Sequence, residues 1–169
     1  MKSSKSVVLL SGGLDSSVNL AAAAEDSTVV LALTFNYGQR AAAREVESAR
    51  QQCLNRGIPH KVVDISWLGT ITQTSLVNTD AQVPLDVLID DRQAIEKSAK
   101  AVWVPNRNGV LLNIGAAFAE SLGATQVVPG FNVEEATTFP DNSEAYLQTL
   151  NSAFQYSTAN GVKVVCYTT

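Results

Sequence analysis

Two apolar patterns alternate along the chain. Short runs rich in Val, Leu and Thr occupy Val7–Leu10, Thr28–Phe35, Val62–Ile65, Gln126–Pro129 and Val162–Val165. All five predict strands, and the continuous apolar run Val7–Leu10 predicts a buried one, as in parallel sheets. Longer amphipathic stretches between them predict helices over Asp15–Ala24, Ala41–Arg56, Val110–Leu122 and Glu144–Tyr156. In the second of these, Arg44, Glu45, Glu47, Arg50 and Gln51 form the expected wet side. Gly57 is placed to close that helix and Pro59 to stop it, while Gly123 stops the third and Gly161 ends the region of the last. Asp141 and Glu144 have capping-box spacing before the last helix. Residues 69–101 show no firm period and read as an irregular excursion with a short helix near Arg92 to Lys100.

Strands alternating with helices predict an α/β fold: a doubly wound, mainly parallel, Rossmann-like sheet with helices on both faces, in one domain over residues 1–169. Such sheets place ligands beyond the carboxyl ends of their strands. Ser11-Gly12-Gly13 and Asn36-Tyr37-Gly38-Gln39 directly follow strands, on the side where a ligand would sit.

Composition narrows the class. Hydrophobic residues at 46% and charged residues at 17% exclude a disordered chain. The net charge of −4 offers no clustered positive surface for direct nucleic-acid binding. No apolar run reaches membrane-spanning length, and Val7–Leu10 is too short for a signal peptide. Cys53 and Cys166 stand far apart and read as reduced thiols, so the expected compartment is the cytoplasm.

The segment Ser11-Gly12-Gly13-Leu14-Asp15-Ser16-Ser17 carries the chemistry. Two glycines leave the backbone free of Cβ atoms, and the N–H groups of such a turn form an anion nest. The helix that follows points the positive end of its dipole at the same place. Ser11, Ser16 and Ser17 add hydroxyl donors. A phosphate cradle and a plain strand-to-helix turn, capped by Ser or Asp, both fit this position and composition. The Walker pattern and the dinucleotide glycine pattern are absent.

Ser-Gly-Gly-Leu-Asp-Ser after a first strand resembles the signature loop of the N-type ATP pyrophosphatases, the adenine nucleotide alpha hydrolase-like superfamily. Phe35-Asn36-Tyr37-Gly38-Gln39-Arg40, Val104-Pro105-Asn106-Arg107-Asn108, Gly130-Phe131-Asn132, Glu134-Glu135 and Phe139-Pro140-Asp141-Asn142-Ser143 follow in order. With these the chain is similar, from Val7 to Val165, to the 7-cyano-7-deazaguanine synthases of the queuosine pathway. The resemblance implies a ligase that uses ATP and Mg2+ to activate 7-carboxy-7-deazaguanine as an adenylate. Ammonia then attacks to give an amide, and a second activation yields the nitrile. It further implies a homodimer. Other readings stay open: a different amide-forming or tRNA-modifying relative, or a non-catalytic nucleotide-binding module.

On the resemblance, Leu10, Ser11, Gly12, Gly13, Leu14, Asp15, Ser16, Ser17 and Phe35 are candidates for ATP binding. Tyr37, Gln39, Arg107, Asn108, Asn132, Glu135 and Asp141 are candidates for substrate binding. Asp15, Ser16 and Arg107 are the catalytic candidates. Asp15 and Asp141 have helix capping as the rival role, and Asn108 is expected to cap the helix beside Arg107 and so orient it. His60 needs no catalytic role and reads as a surface or edge residue before the third strand. Trp67 and Trp103 read as core or interface aromatics and Cys53 as a small buried apolar residue.

Two departures from the family stand out. Asn106 replaces the glycine of the usual Pro-Gly-Arg-Asn loop; Asn tolerates left-handed backbone angles, so the turn can persist. Family members also carry a four-cysteine zinc site beyond this stretch, whereas Cys53, Cys166 and His60 do not make one. The expectation is no zinc bound to these residues.

Overall fold

The computed structural model describes residues 2–72, 74, 76–77 and 102–168. Five strands run in the order β1 (Lys5–Leu9), β2 (Thr28–Asn36), β3 (His60–Asp64), β4 (Gln126–Val128) and β5 (Lys163–Val164). They form one sheet in the spatial order β3-β2-β1-β4-β5. Every neighbouring pair is parallel. Helices α1 (Leu14–Asp26), α2 (Ala42–Arg56), α3 (Trp67–Thr70), α4 (Arg107–Ser121), α5 (Val133–Ala136) and α6 (Glu144–Ser157) connect them, with a 3-10 turn at Pro140–Asn142. This is the doubly wound α/β fold that the strand and helix pattern predicts.

The pleat of β1 sorts its side chains to two cores. Val7 and Leu9 join Leu33, Leu112, Ala116 and Phe154 on the face covered by α4 and α6. Val8 and Leu10 join Leu20, Ala23, Ala49 and Cys53 on the face covered by α1 and α2. Successive residues of a strand point to opposite faces, so a strand apolar at every position needs helices on both sides. Cys53 is buried, and that burial pushes its thiol pKa up.

Element bounds differ locally from the sequence reading. β1 begins at Lys5 and α1 at Leu14; α4 begins at Arg107, three residues earlier than the apolar period indicates, because its first turn is polar. β3 includes His60, which therefore lies within the edge strand and not before it; its Nε2 is 2.8 Å from the Thr34 hydroxyl. α5 and the 3-10 turn were not expected, since each is shorter than any readable period. Ser143, not Asp141, caps α6: its Oγ accepts from Tyr146 N at 3.2 Å. Neither tryptophan is core; Trp67 is 53% exposed and Trp103 39%, the latter stacked on Phe139. The short helix expected near Arg92 to Lys100 lies outside the described residues. Gly57 closes α2 in the left-handed region, with φ 64°. Among the described residues no helix is long and apolar enough to cross a membrane.

Candidate active site

The chain leaves β1 toward β2 on one side, while β4 lies on the other, so the sheet reverses its winding beside β1. A crevice opens at the carboxyl ends of strands where winding reverses. Here a cleft of about 260 Å³ is lined by Leu10, Ser11 and Ser16 after β1, Phe35 and Tyr37 from the end of β2, and Pro129 to Phe131 after β4. Arg107, Asn108 and Leu111 of α4 close it, with Glu45 of α2, Glu135 and Asn142.

The loop after β1 is built by contacts on both sides. Gly12 has φ +79°, and a Cβ there would meet Ser48 Cβ at 2.7 Å. No other residue type could hold that turn and that approach together. Gly13 is different: its φ of −77° is open to any residue, and a Cβ would meet only Ser11 Oγ at 3.5 Å. Across the crevice, a Cβ on Gly130 would fall 2.6 Å from Ser16 Cα, so the segment after β4 presses directly on the first turn of α1.

Gly13 is the N-cap of α1 and no side chain caps the helix, so Asp15 does not act as the cap. The first-turn N–H groups of a helix have no intrahelical partners. Around them stand hydroxyls parked on one another: Ser16 Oγ and Ser17 Oγ both donate to Gly13 O, at 3.1 and 2.6 Å, and Ser11 Oγ lies 3.0 Å from Ser16 Oγ. Asp15 Oδ2 accepts from Asn132 Nδ2 at 3.0 Å, and Asn132 Oδ1 in turn accepts from Glu135 N at 2.8 Å, capping α5.

On the far wall a chain of side chains crosses three elements. Arg107 Nε donates to Asn108 Oδ1 at 3.3 Å; Asn108 Nδ2 donates to Asn142 Oδ1 at 2.8 Å; Asn142 Nδ2 donates to Glu135 Oε2 at 3.0 Å. Asn108 thus orients Arg107 as expected, but from inside α4 and not as its cap. The cap position belongs to Asn106, whose φ of 50° makes it the single described non-glycine residue with positive φ.

Burial and charge set the titration of this wall. The Tyr37 phenol is pushed up by burial, against the pull of the Arg107 guanidinium. Glu135 is held above the usual carboxylate range by burial and by the charge of Asp15. Asp141 is also raised by burial, with Arg107 opposing.

A second cleft of about 220 Å³ adjoins the first and shares Arg107, Asn108, Glu135 and Asn142 with it. Trp103, Phe139 and Asp141 line it. Among the described residues Asp141 Oδ1 is buried there with no hydrogen-bond partner. A buried acceptor without a donor is costly, and a ligand with N–H groups would satisfy it.

Of the nucleotide-site candidates, Leu10, Ser11, Ser16 and Phe35 line the first cleft; Gly12, Gly13, Leu14, Asp15 and Ser17 do not, and Leu14 is 79% exposed. Tyr37, Arg107, Asn108 and Glu135 also line it, and Asp141 lines its neighbour. Asn132 stands behind Asp15. Gln39 does not line either cleft. Its amide is used within its own turn, accepting from Tyr37 N and donating to Phe35 O and Glu45 Oε2. Glu45, assigned to the wet side by sequence, faces the first cleft instead. Asn142 was also missed as a lining residue, although it stands beside Asp141 in a stretch singled out by its resemblance.

Metal ligation divides in two. Asp15, with one carboxylate oxygen held by Asn132, stands at the start of α1, and its carboxylate is a hard oxygen donor of the kind magnesium takes. For zinc the residues do not fit. Cys53 is buried, Cys166 Sγ lies 3.5 Å from Asn19 Oδ1 and Phe131 O, and no three His, Cys, Asp or Glu side chains converge among the described residues.

Residues 5–167 match the family described as queuosine biosynthesis protein QueC. The chain is 54% identical to the 7-cyano-7-deazaguanine synthase of Bdellovibrio bacteriovorus, over 99% of this chain and 74% of that protein. It is 54% identical to that of Methanosarcina mazei, over 95% and 72%, and 42% identical to that of Methanocaldococcus jannaschii, over 95% and 69%. A solved structure described as a predicted subunit of tRNA methyltransferase from Methanocaldococcus jannaschii shares the fold, with TM-score 0.52 at 17% identity over 97% of this chain and 67% of that one. The chain belongs to the 7-cyano-7-deazaguanine synthase family of queuosine precursor biosynthesis.

Proposed function

We propose that this member of the family is an ATP-dependent carbon–nitrogen ligase that turns 7-carboxy-7-deazaguanine and ammonia into 7-cyano-7-deazaguanine. One observation carries the reading: Arg107 and Asn108 line both clefts at once, so a nucleotide in the first and a heterocyclic acid in the second would meet at the Arg107 guanidinium.

The first cleft suits ATP. It offers the hydroxyls of Ser11 and Ser16, with the Gly13 N–H and the Ser17 hydroxyl in the same loop and first turn of α1, and together these would hold the β and γ phosphates as a unit. Asp15 would hold magnesium, which would neutralise charge on those phosphates. The second cleft suits a guanine-like base. Asp141 Oδ1 lacks a donor, and Glu135 adds a second carboxylate shared between the clefts. Ring and exocyclic N–H groups would supply donors to both.

The chemistry then follows from position. The substrate carboxylate attacks the α phosphorus of ATP and pyrophosphate leaves, giving an acyl adenylate. Ammonia attacks the acyl carbon, loses a proton, and AMP leaves, giving the amide. A second ATP takes the amide oxygen onto its α phosphorus with loss of pyrophosphate. Departure of that oxygen with AMP, and loss of the two amide protons, leaves the nitrile. No protein nucleophile is needed. Arg107 pairs with the carboxylate and the α phosphate through its planar fork, and catalysis is placement and charge stabilisation. Two free thiols and the ATP requirement agree with a cytoplasmic enzyme. Assembly as a homodimer rests on the family resemblance alone.

The test is turnover. The purified chain is incubated with 7-carboxy-7-deazaguanine, ATP, Mg2+ and ammonium, and the heterocycle is followed by mass spectrometry. Formation of the nitrile, dependent on ammonium, supports the reading. Conversion that stops at the amide, or no conversion under saturating ATP, contradicts it.

A further inference from the structure

The glycine loop does not set its own direction. Gly12 O accepts from Ser48 Oγ at 2.9 Å and from Gln52 Nε2 at 3.4 Å. Ser48 and Gln52 stand one turn apart on α2, on the same face as Glu45. The contact is close: the Cβ position of Gly12 lies 2.7 Å from Ser48 Cβ and 2.9 Å from Ala49 N. The apex of the loop therefore rests on α2, whose hydroxyl and amide hold one carbonyl.

That carbonyl belongs to the Gly12–Gly13 peptide. In a planar trans peptide the carbonyl and the following N–H point in opposite directions. Holding Gly12 O against α2 turns the Gly13 N–H away from α2, to the side where a Cβ on Gly13 would meet only Ser11 Oγ, at 3.5 Å. The acceptor of that N–H is Ser11 Oγ at 3.3 Å, a long hydrogen bond that a phosphate oxygen would readily replace. The Gly13 N–H is thereby added to the unpaired N–H groups at the start of α1.

We infer that Ser48, backed by Gln52, is a positioning residue for nucleotide binding: it holds the Gly12 carbonyl so that the Gly13 N–H faces the phosphates. The inference rests on ATP binding at this loop. Ser48 touches no phosphate in this arrangement; it acts through the peptide it holds. A preorganised donor costs no reorientation when the anion arrives, and a free Gly-Gly peptide would have to be ordered at that moment.

The experiment titrates ATP and pyrophosphate separately into the wild-type chain, Ser48→Ala and Ser48→Ala/Gln52→Leu. Ser48→Ala keeps the Cβ that packs on Gly12 and removes only the hydroxyl. Loss of one hydrogen bond predicts Kd values for both ligands raised about fivefold in Ser48→Ala and further in the double variant. The KM for the heterocyclic acid and the thermal midpoint stay near wild type, which a merely structural role would not allow. Unchanged Kd values in both variants overturn the inference, as do equal losses for ATP, pyrophosphate and the acid. If the wild-type chain binds neither ATP nor pyrophosphate, the nucleotide reading itself fails first, a result distinct from either.

Discussion

Asn132 donates from Nδ2 to Asp15 Oδ2 at 3.0 Å, joining the glycine-loop helix to the segment after β4 across 117 positions of sequence. The same amide caps α5 through its oxygen, so one side chain fixes both the carboxylate of Asp15 and the backbone that carries Glu135. Asn132→Ala should lower kcat/KM by about tenfold, the combined scale of a lost cap and a lost hydrogen bond to a charged group. Asn132→Asp should be worse, since it sets a third carboxylate between Asp15 and Glu135. Steady-state kinetics on the three proteins checks the order; equal activity in Asn132→Asp and wild type would show the contact to be incidental.

The two loop glycines should separate in their effects. At Gly13 the backbone is extended and the Cβ position is clear, so Gly13→Val folds normally while its side chain stands in the path of the phosphates. At Gly12 any Cβ meets α2, and the positive φ adds strain, so Gly12→Val destabilises by several kcal/mol, on the order of an overpacked core site. Thermal melts and ATP titrations together distinguish a folded non-binder from a misfolded chain.

The clefts should separate too. Asp141 lines only the second, whereas Arg107 lines both. Asp141→Ala is expected to weaken 7-carboxy-7-deazaguanine by about tenfold or more and ATP by less than twofold, the scale of one hydrogen bond to a charged group. Arg107→Ala weakens both ligands. Calorimetric titration of each ligand alone reads this directly.

Glu135 yields a pH prediction. Its folded-state pKa is raised by burial and by Asp15, so the folded chain binds more protons than the unfolded chain just above the ordinary carboxylate range. Stability therefore falls as pH rises through that window, and the penalty is fully present at neutral pH. Glu135→Gln should stabilise the unliganded protein at pH 7, by no more than about 1 kcal/mol given its partial exposure to water, and the gain should vanish toward pH 4. Denaturant midpoints at the two pH values test the sign. The same variant should bind the heterocyclic acid less well, since function keeps a carboxylate there at some cost in stability.

The sequence showed the sheet because its strands read as short apolar runs between helices; central β1 is mostly buried, while edge strand β3 is largely exposed. It showed the glycine loop because Ser11 to Ser17 are contiguous. It also anticipated the left-handed backbone at Asn106, since Asn takes that conformation more readily than most residues. What stayed hidden came from distant segments. Glu45 reads as solvent-facing because α2 is polar over most of its surface, yet it accepts from Gln39 Nε2 and lines the first cleft. Gln39 looked like a ligand residue because it follows a strand, yet its amide is engaged by Tyr37 N, Phe35 O and Glu45 Oε2. Ser143 outcompeted Asp141 for the α6 cap because Asp141 lies within the 3-10 turn at Pro140–Asn142, so the helix starts two residues later than a cap at Asp141 would set it. Gly130 against Ser16 and Asn132 against Asp15 depend on β4 lying beside β1, a pairing that local pattern does not encode.

The central claim concerns which bond of ATP breaks. The loop has no Walker lysine to aim at β and γ phosphates; under the proposed function its backbone nest, three hydroxyls and helix start would hold those two phosphates together and leave the α phosphorus open to the substrate carboxylate. Phosphorus NMR of a reaction containing the purified chain, ATP, Mg2+, 7-carboxy-7-deazaguanine and ammonium measures the outcome. The account predicts AMP and pyrophosphate in equal amounts, two of each for every nitrile formed. ADP and inorganic phosphate as the products, in a preparation free of kinase and phosphatase activity, would contradict it.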